Sequence, residues 1–247
     1  MENPFEKVQP EELTSEEKLE LAKERHPNPM SAKDKIIHKV SETELVQSWL
    51  EDRAEMIVER SGVNEVVKEM GDDVTVVDVG GGKQHIEREI IETNPDKKIE
   101  AVGVDVSDYA SKEVGEKVES VFGAGENLPI KNESVEIATA YFTFQELNDN
   151  QQREVLKEMK RIIKEDGRIV ITDELPQEGV AACAKNILLN LKVSKFNIRS
   201  DKEWRKFFKE NGLEVESSQI FGEDEENKKE QFISYVLKKV EEAEKVE

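Results

Sequence analysis

The chain has 247 residues, enough for one α/β domain with an added helical segment. Charged residues make up 37% of it and the formal net charge is -20, so sequence-independent binding to nucleic-acid phosphates is disfavoured. One cysteine, Cys183 in an apolar stretch, excludes an internal disulfide framework and a cysteine-rich zinc site.

Residues 1–70 read as a helical extension packed on the main domain. Thr14 with Glu17, and Ser41 with Glu44, have the spacing of capping boxes. The second opens an amphipathic helix with Leu45, Trp49, Met56 and Ile57 among its apolar positions. The N-terminus shows no basic segment leading into an apolar one, and no apolar run approaches a membrane span. A cytoplasmic location is expected.

From Val74 the texture changes. Val74–Val79 is a β-branched run that ends in Gly80-Gly81-Gly82, and a helix with Ile86, Ile90 and Ile91 on one side follows. Ile99–Val104 is the next strand, ending at Asp105, with Ser107 as N-cap of a further helix. Val118–Phe122 and Val135–Phe142 read as strands, Glu154–Ile163 as a helix, and Arg168–Thr172 as the fifth strand after the break at Gly167. Helices are expected over about 178–191 and around Trp204 to Phe208. Leu213–Phe221 and Gln231–Val240, joined by an acidic turn, read as an antiparallel pair at the edge. Alternating strands and helices at this spacing predict a doubly wound, mostly parallel sheet over residues 71–240, with a fraying tail at 241–247.

Three elements carry chemistry. Asp78 and the Gly80–Gly82 turn stand at a strand's C-terminal end, where glycines admit a ligand to the backbone and the next helix offers unpaired amides. The third glycine of a dinucleotide fingerprint is absent, and the turn does not have the Gly-x-x-x-x-Gly-Lys-Ser/Thr pattern of a Walker motif. Asp78 would repel a pyrophosphate, so a ligand with a cationic group suits the turn better. Asp105, at the end of the next strand, can accept two hydrogen bonds from a ribose diol. The third element is Gly123-Ala124-Gly125-Glu126-Asn127-Leu128-Pro129-Ile130.

Taken in order, Asp-x-Gly-x-Gly, a second strand ending in Asp, and Gly-x-x-Glu-x-Leu-Pro resemble the class I S-adenosylmethionine-dependent methyltransferases. The likeness is greatest to the group related to ubiquinone and menaquinone methyltransferases. The segment Arg161–Ile171 is similar to that family's helix-to-fifth-strand passage. The resemblance implies a Rossmann-like seven-stranded sheet with its last strand antiparallel, and S-adenosylmethionine as cofactor. It places Asp78, Gly80, Gly81 and Gly82 at the cofactor's amino-acid part and Asp105, with Val106 after it, at the ribose. Ala124, Gly125 and Glu126 would line the adenine, and Tyr141 would end the fourth strand near the cofactor.

Two positions depart from that family. Gln84 stands where a third glycine is usual, and Ala124 where an Asp bonds the adenine amine. The second change removes one hydrogen bond, worth about 0.5–1.5 kcal/mol.

Methyl transfer from a sulfonium needs alignment above all, and a base only if the acceptor arrives protonated. Asp173 and Glu146, after the fifth and fourth strands, are the candidate bases; His85 is expected to pack on its helix. No Asn-Pro-Pro-Tyr or Asp-Pro-Pro-Tyr follows the fourth strand, Cys183 is in no Pro-Cys pair, and no His/Asp/Glu cluster suggests a metal. The expected partner is a small-molecule acceptor, with no nucleic acid. Leu188, Leu189, Leu191 and Phe196 offer apolar lining for it, and Lys192, Lys195 and Arg199 are the candidate basic patch. A degenerate, cofactor-binding interaction module is the alternative.

Overall fold

The computed structural model of the protein describes residues 53–82, 84–106, 118–176, 197–222 and 231–240. The two N-terminal capping boxes, Ser107, Cys183, Leu188, Leu189, Leu191, Phe196, Lys192, Lys195 and the helix expected over 178–191 lie outside the described residues.

The strands are β1 (Asp73–Val79), β2 (Lys98–Asp105), β3 (Val118–Phe122), β4 (Val135–Tyr141), β5 (Ile163–Glu174), β6 (Leu213–Gly222) and β7 (Gln231–Lys239). They form one sheet in the order β3-β2-β1-β4-β5-β7-β6. β7 runs antiparallel to both of its neighbours; the other pairings are parallel. The helices are α1 (Val63–Glu69), α2 (His85–Thr93), α3 (Asp149–Ile162) and α4 (Asp201–Glu210), with residues 53–60 also helical. This is the seven-stranded doubly wound architecture expected from the sequence.

The inner strands β1, β2, β4 and β7 are largely buried in their centres because helices cover both faces, whereas the edge strand β6 is mostly exposed. Residues Val58, Val63, Val66 and Val67 from the N-terminal side, with Ile90 of α2, bury Val74, Val76, Ala101 and Ile137. On the opposite face Val155, Leu156, Met159 and Ile162 of α3 and Trp204, Phe207 and Phe208 of α4 cover Val77, Ala138, Ile169 and Tyr235.

Two boundaries differ from expectation for identifiable reasons. The helix read from Glu154 begins at Asp149, because Asn148 caps it: its Oδ1 accepts from the Asn150 and Gln151 amides while Gln151 Oε1 accepts from the Asn148 amide. The first turn is all polar, so apolar periodicity alone starts it too late. The fifth strand begins at Ile163, and Gly167 lies inside it rather than before it. A Cβ at Gly167 would stand 2.9 Å from the Glu136 carbonyl oxygen, beside the register shift between Val135 and Ile137. That glycine permits close approach of two strands and is no helix stop.

Candidate cofactor-binding site

Chain order reverses between β1 and β4, and in an open α/β sheet the crevice beyond the strand ends at that point receives ligands. Val79 pairs with Val104, so β1 and β2 finish level, and the glycine turn and Asp105 stand side by side. Gly80 donates to the Val104 carbonyl at 2.8 Å, and Gly82 donates to Asp105 Oδ2 at 3.1 Å. Both glycines have positive φ, 83° and 51°. Asp105 thus points at the turn and is half-buried. Val106 follows it, also half-buried.

Gln84 also adopts a left-handed backbone, φ 61°, and its amide donates to the Gly81 carbonyl at 2.8 Å. It therefore takes the backbone conformation that a third glycine would supply. Its side chain is 1% exposed and lies against Gly103 of β2, whose missing Cβ makes the room. The substitution is accommodated beneath the turn.

Asp78 is buried, and Thr139 of β4 donates to its Oδ1 at 2.6 Å. Burial pushes its carboxyl up to about 7, with Asp105 adding to the rise and the Thr139 hydroxyl opposing it. Sequence reasoning missed its neighbour Glu87, which is 0% exposed on α2. The Glu87 carboxyl sits against Gly81 and Gly103, and neither oxygen has a hydrogen-bond partner among the described residues. Burial raises it well above the ordinary carboxylate range, and the Asp78 charge raises it further. Its spacing from Ile90 places it on the helix's inward face, the one signal the sequence offered.

The adenine-side segment folds as a tight turn. Ala124 bridges to Asn127, whose amide donates to the Ala124 carbonyl at 3.0 Å. Ala124 is buried, and a Cβ at Gly125 would stand 2.8 Å from Val79 Cγ1. Glu126 Oε1 accepts from Gln151 Nε2 at 3.1 Å. Tyr141 ends β4, buried, and burial pushes its phenol up.

The two candidate bases differ sharply. Asp173 is 2% exposed. Burial raises it well above the ordinary range, the Gln145 backbone amide offsets part of this, and Glu174 and Glu146 raise it further. Glu146 is exposed on the short 3-10 turn Phe144–Glu146. Arg199 binds Asp149 Oδ1 and Gln152 Oε1 at 2.7 Å each and lies over the Phe207 ring, which makes it a structural cation. Among the described residues no group of three or more His, Cys, Asp or Glu is placed to hold a metal, and no helix is long and apolar enough to cross a membrane.

Residues 77–171 match the model of a family described as a methyltransferase domain, and the fold around them is that of the class I S-adenosylmethionine-dependent methyltransferases. Among solved structures, CalO1, a methyltransferase in calicheamicin biosynthesis in its SAH-bound form, is 13% identical with a TM-score of 0.62, over 89% of this chain and 61% of its own. The YcgJ protein from Bacillus subtilis is 18% identical with a TM-score of 0.53, over 72% and 98% of the two chains. A pericyclic reaction enzyme is 18% identical with a TM-score of 0.57, over 70% of this chain and 46% of its own. The chain thus spans roughly half of the longer of these relatives. No curated protein sequence matches it.

Proposed function

We propose that the protein is an S-adenosylmethionine-dependent methyltransferase acting on a small-molecule acceptor. The observation that carries this reading is the junction of the glycine turn with Asp105 through the Gly82 amide. A carboxylate at the end of the second strand, held beside the turn, is the kind of group that accepts hydrogen bonds from a ribose diol. The residues fit the cofactor in three further respects. The left-handed Gly82 has open space where a side chain would stand, Asp78 supplies an acid for a cationic group, and Ala124–Glu126 form a tight turn beyond β3. CalO1, SAH-bound and biosynthetic, supports a small acceptor by analogy of fold.

When bound, the cofactor would supply an electrophilic methyl group. The chain's own part is to orient: Gly80–Gly82 and Asp78 at the amino-acid end, Asp105 and Val106 at the ribose, Ala124, Gly125 and Glu126 at the adenine, Tyr141 at the end of β4. Alignment of this kind supplies on the order of 7–11 kcal/mol. Glu146, exposed on its turn, and the buried Asp173 are the candidate bases for an acceptor that arrives protonated.

A second reading has one observation in its favour. The pericyclic reaction enzyme shares this fold, so the fold alone does not entail methyl transfer. A cofactor-binding module without transfer would retain the Asp105 junction. Titration with S-adenosylmethionine and its demethylated product, followed by radiolabelled methyl release over a panel of small alcohols, phenols and amines, separates the two. Binding with turnover supports the enzyme, binding without turnover on any acceptor supports the module, and no binding sinks both.

A further inference from the structure

One hydroxyl holds the glycine turn from the β4 side. Thr143, two residues beyond β4, donates to the Val79 carbonyl at 3.0 Å, with the Tyr141 carbonyl at 3.2 Å as its second acceptor. Those are the last carbonyls of β1 and β4, the two strands that flank the crevice. The Thr143 side chain also fills the space that a Cβ on Gly80 would need. Thr143 itself is half-buried.

The residue before it explains how it gets there. Phe142 has φ 56°, a region that ring-bearing residues rarely adopt. Its amide donates to the Thr172 carbonyl of β5 at 2.8 Å, so the backbone is anchored as it turns. Its ring meets Phe232 edge-on, with centroids 5.2 Å apart, and the Arg53 guanidinium lies 4.9 Å from it and 4.7 Å from Phe232. Strained backbone persists where the surroundings over-determine it, and it gathers at functional sites. The left-handed step swings Thr143 back across β1 instead of letting it run on beyond β4.

We propose that Thr143 is a positioning residue for the cofactor turn: its hydroxyl joins the ends of β1 and β4 and fixes the backbone of the Gly80–Gly82 turn beside Asp105. It acts through Val79 and Gly80, touching no reacting atom. The inference rests on the cofactor reading given above, and its test has a ligand-free arm for that reason.

The variants are T143V, which keeps the shape and loses the hydroxyl, T143A, and T143S, which keeps the hydroxyl. In the ligand-free protein, amide hydrogen exchange at Gly80 and Gly82 should quicken in T143V and T143A and return to the wild-type rate in T143S. In titrations with S-adenosylmethionine, T143V should bind about fivefold more weakly, and T143S within about twofold of wild type. Wild-type exchange and affinity in T143V would overturn the proposal. So would a T143S that behaves like T143A, since the methyl group and not the hydroxyl would then matter. Failure of the wild type to bind the cofactor sinks the cofactor reading instead, and the exchange rates still decide whether Thr143 holds the turn.

Discussion

Asp78 and Glu87 are buried carboxyls packed against the glycine turn. Burial raises both, so the folded chain holds protons that the unfolded chain has already lost. For Asp78 the window runs from its ordinary 3.8 to about 7, and across it stability falls as pH rises, then levels off. Each unit of raised pKa corresponds to about 1.4 kcal/mol. Asp78→Asn keeps an oxygen for the Thr139 hydroxyl and cannot ionise. Urea unfolding should therefore find the variant more stable relative to wild type at about pH 8 than at about pH 5, by more than ~1 kcal/mol. An equal difference at both pH values would mean that Asp78 titrates normally. A second residue-scale prediction concerns Gly103. A Cβ there would meet the Glu87 carboxyl and Gln84 Cγ, the latter at 2.8 Å, so Gly103→Ala should destabilise by about 1–3 kcal/mol and disturb the glycine turn with it. Wild-type urea stability in that variant would show that Gln84 and Glu87 have room to move. Asp78, Asp105 and the glycines were legible because their residue types and spacing are unusual at strand ends. Glu87 was not, since nothing local distinguishes a buried helical acid from a solvated one among so many charges.

Caps and aromatic contacts fix the elements. Asn148 satisfies two amides at the start of α3, so Asn148→Ala should cost about 1 kcal/mol in chemical denaturation. Trp204 of α4 is 1% exposed, stacked on Phe208 at 5.2 Å and packed edge-on against Phe144 at 5.8 Å. Trp204→Ala should cost about 3–5 kcal/mol, against near-neutral effects for exposed changes on the same helix such as Lys206→Ala. If the two cost the same, α4 is not anchored through this ring. The β-branched runs of β1, β2 and β4 made these strands readable, and antiparallel β6 and β7 followed from their length and the turn between them. The positive φ values of Gln84 and Phe142 were unreadable. Both residue types avoid that region, and tertiary contacts alone impose it.

At the scale of the molecule, a surface of net charge -20 leaves the described cations largely engaged with backbone and carboxylates. Order along the chain carried the fold: a strand, glycines, a second strand ending in Asp, then a turn with Leu-Pro. The sheet order that brings β1 beside β4 follows from right-handed crossovers. What order along the chain could not convey is how Thr139 and Thr143, more than sixty residues downstream, would reach Asp78 and Val79. Those contacts exist only once β1 and β4 pair.

The most direct measurement is a calorimetric titration of S-adenosylmethionine into the wild-type protein and into Asp105→Ala, with folding of both checked by circular dichroism. The wild type should bind, and the variant should lose about 1.5–3 kcal/mol, or roughly ten- to a hundredfold in affinity. A folded variant that binds as tightly as the wild type would contradict the placing of the ribose on Asp105, and with it the site proposed here.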